Sequence, residues 1–380
     1  MRLIIKYTIA FLLLILVQTA QSQHFYENYY HKPAISQTDS GNISLSIYNN
    51  NFAKNNEYFG PNIKGLTYIG SIIQPEITWA PAKNFQLSAG WFLRQFYGHD
   101  GFEQSLPVIR ASYEFEPGIK LIIGQLQGQL LHEFIEPIYA TDNYFSHNPE
   151  YGVQILVEKQ KIHTDFYMDW EKFHLPGEAH QEIITAGLLA TYRPGKSTEY
   201  KGLNLHFQSL IHHFGGQVDN TDNPLMSRSN IALGASYKML PDKPFLNTVS
   251  FSSFYIQAFE LSHDNTIPFE TGYGLLNTIG IENKWFKIST GWFHGAYYFA
   301  PLGDYMYQSV SSLNDWYTDE KRDIIPTKIL VGKEITKGVS FAFRFESYYD
   351  VAERMHEYSY GLNISVNARV FEKRISSCRK

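Results

Sequence analysis

Lys161-Ile162-His163-Thr164-Asp165-Phe166-Tyr167-Met168-Asp169-Trp170-Glu171 is the stretch from which the fold is read. Its even positions, Ile162, Thr164, Phe166, Met168 and Trp170, are mostly apolar. Its odd positions, His163, Asp165, Tyr167, Asp169 and Glu171, are polar, and several are charged. A β-strand points successive side chains to opposite faces, so this one has a greasy face and a hydrophilic face. A single such strand says little. The pattern returns about sixteen times along the chain, and alternating segments of that length separated by turn residues predict an all-β, closed antiparallel transmembrane β-barrel.

The predicted strands cover 40–48, 64–80, 84–97, 106–116, 119–131, 150–158, 161–171, 182–193, 201–214, 228–240, 247–260, 270–282, 285–299, 325–334, 338–350 and 356–371. The fifteenth is very clear: Val339, Phe341, Phe343, Phe345 and Tyr349 alternate with Ser340, Arg344, Glu346 and Tyr348. The eleventh and twelfth alternate less cleanly. Links after the even-numbered strands are short. Those after strands one, five, seven, nine, eleven and thirteen are longer and rich in Asn, Asp, His and Gly, while those after three and fifteen are intermediate. Short periplasmic turns opposite long extracellular loops are the layout of outer-membrane barrels. An even strand count puts both termini on the short-turn side.

The chain has 380 residues, 44% hydrophobic and 18% charged, with 27 Tyr and 27 Phe. That composition suits half-buried strands and aromatic belts, but it would equally suit a large soluble β-sandwich. The N-terminus is more specific. Arg2 and Lys6 precede an apolar run from Tyr7 to Val17, and Ala20-Gln21-Ser22 offers a small-x-small cleavage site. These features predict a secretory signal peptide over 1–22. No other apolar run reaches the roughly 20 residues of a transmembrane helix. Removing residues 1–22 would leave 30 bases against 37 acids, a net charge of −7, which argues against a nucleic-acid partner. The lone cysteine, Cys378, excludes an internal disulfide framework and fits a bacterial exported protein. The expected organisation is a signal peptide (1–22), a short N-terminal periplasmic segment (23–39), the barrel (40–371) and a C-terminal tail (372–380).

The whole mature chain resembles bacterial outer-membrane β-barrels of the porin size class. Tyr360-Gly361-Leu362-Asn363-Ile364-Ser365-Val366 resembles the C-terminal signal read by the barrel-assembly machinery, and Phe371 resembles its terminal aromatic, although Glu372 to Lys380 follow it. The resemblance implies residence in the bacterial outer membrane, with its lipid and the assembly machinery as partners.

Sixteen strands enclose a lumen wide enough for water unless loops plug it. The register aims Arg94, Arg110, Asp165, Asp169, Glu171, Arg344, Glu346 and Arg369 inward as candidate pore-lining residues, and charges of both signs facing a lumen suit a wet pore. The alternative for each is a pair that only holds the wall. The loops at 132–149, with His132, Glu133, Glu136 and Asp142, and 300–324, with Asp304, Asp315, Trp316, Asp319 and Glu320, are candidates to constrict the pore or bind ligands. No dense His/Cys spacing of a structural metal site, no G-x-S-x-G and no HExxH is present. His206, His212 and His213 lie near one strand, and His294 could be set beside Ser289 and Ser309 in a hydrolase. The expectation is therefore a non-enzymatic channel for passive diffusion of small hydrophilic solutes, without cofactor or metal. A polymer-export barrel, a subunit of an envelope complex and an outer-membrane lipid hydrolase are the alternatives.

Overall fold

The structure, a computed structural model, describes residues 40–375 apart from 148, 196–200, 217–222, 242, 244, 263–266 and 315–316. The expected signal peptide, the segment 23–39, Cys378, Asp315 and Trp316 lie outside the described residues. Sixteen antiparallel strands close into one barrel, each paired with its sequence neighbours and β1 (Asn42–Glu57) with β16 (Met355–Arg374). Closure leaves no strand edge, so every wall segment finds its backbone partners in the sheet, as hydrocarbon surroundings require. The turns at 83–84, 117–118, 159–161, 283–285 and 337–338 are tight, with two longer links, 193–201 and 240–247, at the same end. The opposite, extracellular end carries the longest segments, 126–150 and 297–320.

The outward face is an apolar belt. Ile77, Leu87, Ile109, Ile123, Ile155, Leu233, Ile279 and Leu362 are all exposed large hydrophobics on the wall, where a water-soluble protein would not spread them around its whole circumference. Strand β7 (Ile162–Lys172) keeps the register read from its sequence: Phe166 and Trp170 are exposed, while Asp165, Tyr167 and Asp169 are buried inward. The register is testable at β15 (Val339–Asp350), which pairs with β16. Phe343 to Arg would place a cation in lipid, at about 2–4 kcal/mol near the midplane. The variant should assemble poorly, by heat-modifiable gel migration from purified outer membranes. Asn363 to Arg, on the inward face, should assemble. Equal behaviour of the two would contradict the register.

Among the strand limits that differ from the sequence reading, three have a clear physical reason. β1 runs on through Asn49-Asn50-Asn51 to Glu57, because its inward polar groups are needed by a loop inside the barrel. β5 (Ile119–Gln125) stops before 126, where the apolar residues to Leu131 leave the wall. β13 (Phe286–Ala296) likewise stops before Tyr298 and Phe299, which are buried inside. The weak alternation of β11 (Thr248–Glu260) and β12 (Thr271–Glu282) has the same origin. Phe254, Ile256 and Leu276 face inward yet are apolar, because they pack on Tyr298, Phe299, Leu302 and Met306 of the 297–320 segment. The lumen at the extracellular level is therefore filled by folded loop.

Candidate active site

The segment 126–150 crosses the lumen. It carries a 3-10 turn, Gln129–His132, and a one-turn helix, α1 (Asn143–Ser146). On one wall Lys54 and Asn56 of β1 hold Asp142, Asn56 through a 2.7 Å bond. On the opposite wall, eight strands away in the closed order, Gln208 of β9 (Gly202–Phe214) accepts from the Ile135 amide at 3.0 Å. Between them Lys328 of β14 (Lys321–Thr336) pairs with Glu136. The second segment is tied down by Arg322, which pairs with Asp350 at 2.6 Å and donates to the Met306 carbonyl at 2.9 Å.

The strongest anchor is His132. It is fully buried, with Nδ1 at 2.7 Å from Asp165 and Nε2 at 2.6 Å from Glu150. Burial alone would lower its pKa, but the Glu150 and Asp165 carboxylates outweigh burial and raise it to about 10. The imidazolium is thus a bridge between two carboxylates, with neither nitrogen left for catalysis. Its ring stacks on Tyr167 at 3.7 Å between centroids. Tyr167 in turn lies across Gly187 of β8 (Ile183–Tyr192), where an added Cβ would come within 2.1 Å of the ring.

The inward charges expected to line a pore are consumed by these contacts. Arg94 bonds Glu103 at 2.9 Å and the His147 carbonyl at 2.7 Å. Arg110 pairs with Glu76, and Asp165 with His132. Asp169 accepts from the Tyr151 amide at 2.6 Å. Glu346 gathers Lys54 at 3.0 Å, Lys328 at 3.3 Å and Arg344 at 2.5 Å. Arg369 differs: it sits at the periplasmic end in an exposed pair with Glu372 at 3.2 Å.

Glu171 belongs to another arrangement. Beneath α1, against β7 and β8, lies a cavity of about 230 Å³ lined by Tyr139, Ser146, His147, Glu150, Asp169, Glu171, Lys172, Ile183, Thr185 and Leu302. The antiparallel register puts Asp169, Thr185 and His212 in one cross-strand row over β7, β8 and β9. The Thr185 hydroxyl hydrogen-bonds Glu171 and lies 2.6 Å from His212 Nδ1, itself 3.3 Å from Glu171. In either tautomer of His212 the hydroxyl proton has an acceptor in place. Hydroxyl, imidazole and carboxylate in mutual contact are the parts of an activated nucleophile. Across the cavity Ser146 lies 3.1 Å from His147 Nδ1. Burial holds His147 below the usual imidazole value, against the pull of Glu171.

The other histidines do not join it. His206 faces Ser236 at 2.8 Å and His213 faces Ser227 at 2.7 Å. His294 pairs with Asp323 at 2.8 Å on the outward face, whereas Ser309 is buried inside against the Tyr298 amide. The alternative grouping of His294 with Ser289 and Ser309 is not formed, because the alternation of β13 sends His294 and Ser289 to opposite faces.

Comparison with known proteins adds what the geometry cannot. A family model described as Lipid A 3'-O-deacylase-type matches residues 35–375. The chain belongs to the lipid A 3'-O-deacylase-type family. This match corrects the expectation of a non-enzymatic protein, since the family is one of enzymes. Inward charge looks the same in a sequence whether it wets a pore or anchors a loop, which is why period-two reading pointed to a channel. No curated protein matches the chain. Among solved structures, a loop-deletion mutant of OmpT, an outer membrane protein of Vibrio cholerae, aligns with TM-score 0.53 and 10% identity over 86% of this chain and 99% of that one. OccAB1 of Acinetobacter baumannii aligns with TM-score 0.51 and 10% identity over 87% and 97%. At such identity the likeness is one of fold, that of an outer-membrane β-barrel.

Proposed function

We propose that this deacylase-family chain is an outer-membrane hydrolase that removes an ester-linked acyl chain from a lipid A-type glycolipid, with chemistry at the Thr185–His212–Glu171 cavity. The family match over 35–375 carries the reading. The cavity supports the location, since it combines titratable groups, hydroxyls and a lining of mixed polarity at the ends of β7 and β8 nearest the extracellular side.

In this reading the Thr185 oxygen attacks the ester carbonyl and its proton passes to the His212–Glu171 pair. The sugar oxygen leaves with that proton, and a water molecule then releases the fatty acid and restores the hydroxyl. Lys172 offers a cation to an anionic headgroup at the same cavity. Purified protein in detergent, incubated with lipid A and followed by mass spectrometry, should release one fatty acid per glycolipid. Intact lipid A after prolonged incubation with correctly folded protein would reject the proposal.

A further inference from the structure

The extracellular loop between β7 and β8 reads Phe173-His174-Leu175-Pro176-Gly177-Glu178-Ala179-His180-Gln181-Glu182. We infer that His174, Glu178 and His180 form a binding site for a divalent transition-metal ion of the zinc type. The inference stands apart from the deacylase reading and survives its failure.

Each of the three residues offers one ligand atom, and these atoms all lie within 4.8 Å of one another. Sequence spacing alone does not arrange this, because His-x₃-Glu-x-His in a loop can point anywhere. A turn does. Pro176 and Gly177 occupy its two central positions, with Gly177 at φ +95° and the Glu178 amide donating to the Leu175 carbonyl at 3.1 Å. Proline first and a left-handed glycine second is the demand of a type II turn. The Glu178 side chain then folds back over the turn, one carboxylate oxygen accepting from the Leu175 amide at 2.7 Å. That bond fixes the carboxylate beside the turn, with the same oxygen 3.5 Å from His180 Nε2.

The imidazoles are held beside it. His174 is buried, an uncommon position in a short surface loop, and its ring packs edge-on against His180 at 5.4 Å between centroids. His180 lies with Nε2 3.0 Å from the Phe173 carbonyl and 3.5 Å from Glu178. With Nε2 on that carbonyl, Nδ1 is the nitrogen left to ligate, the arrangement by which a second contact orients a ligating imidazole. Two imidazoles and one carboxylate suit zinc, cobalt, nickel or copper, whereas calcium and magnesium prefer all-oxygen shells. Three protein ligands leave a fourth position for water or a ligand oxygen. The loop ends at Ile183 and begins after Lys172, both of which line the cavity described above, so a bound ion would stiffen the cavity's outer rim.

Titration of the full-length protein in detergent with Co²⁺ tests the site. The visible d–d band of low-coordinate cobalt should appear with one equivalent and be erased by competing Zn²⁺. His180→Ala and Glu178→Gln should weaken Co²⁺ binding by at least about 10-fold, since even residues outside the ligand shell are worth about 10–100-fold. His99→Ala, a histidine on the loop after β3 (Phe85–Phe96), should bind as the parent does. All variants should keep the parent's heat-modifiable migration, since the changes lie outside the wall. No band in the folded parent, or undiminished binding in both loop variants, would overturn the site.

Discussion

Replacing His132 with alanine should loosen the segment that crosses the lumen, at a cost on the order of 3–5 kcal/mol, the range for breaking a buried charge pair. The imidazolium lies 2.7 Å from Asp165 and 2.6 Å from Glu150, and all three groups are buried. Without it two carboxylates repel inside the barrel with no shared cation. Asp165 would keep Gln154 at 2.9 Å and Glu150 would keep Tyr139 at 2.9 Å, which is too little to hold the segment as before. The vacated space beside Tyr167 adds a packing loss. Hydrogen exchange should therefore speed up across 126–150 while the strands stay protected, and single-channel conductance in planar bilayers should exceed that of the parent. Unchanged exchange and conductance would show that the segment is held elsewhere.

The same bridge sets a pH dependence. The folded-state pKa of His132, about 10, lies above the ordinary imidazole value near 6.5. Its contribution is fully present below the unfolded value, erodes as pH rises past it, and is gone beyond about 10. Parent protein should show increasing loop exchange between neutral and alkaline pH, after correction for intrinsic exchange. His132→Ala should lack this alkaline component.

The second large effect is expected at His212. Loss of a general base typically costs about 10²–10⁴-fold in rate. His212→Ala should lower kcat for deacylation by that order with a smaller change in KM, and Thr185→Val should do the same while preserving side-chain shape. The alternative hydroxyl, Ser146, lies on the other side of the cavity. Full activity in Thr185→Val together with loss in Ser146→Ala would move the nucleophile onto α1 and leave the barrel wall as support.

The parts of this protein legible in its sequence are those with a short physical period. Val339 to Tyr349 on β15 alternates because one face meets lipid and the other does not, and a one-residue slip would turn Arg344 and Glu346 outward. The same reasoning reached the strand number, the sorting of turns from loops and the inward direction of Arg94, Arg110, Asp165 and Asp169. It reaches two residues of the candidate site, Asp169 and Glu171, as pore-lining groups. In the sequence His212 is one of several histidines, and Thr185 and Lys172 carry no signal of their own.

The sequence by itself determined the barrel and its register, because lipid outside and backbone pairing inside act on every second residue. Only the tertiary structure decided what fills the lumen. Asp142 meets Lys54, His132 meets Asp165, and Glu136 meets Lys328 across long stretches of chain. Cross-strand register sets Thr185 beside His212, and Glu171, skipped by the ladder at the irregularity between Trp170 and Lys172, reaches both through its side chain. No local period encodes such meetings, since they depend on how a loop folds back into a space that the closed wall first creates.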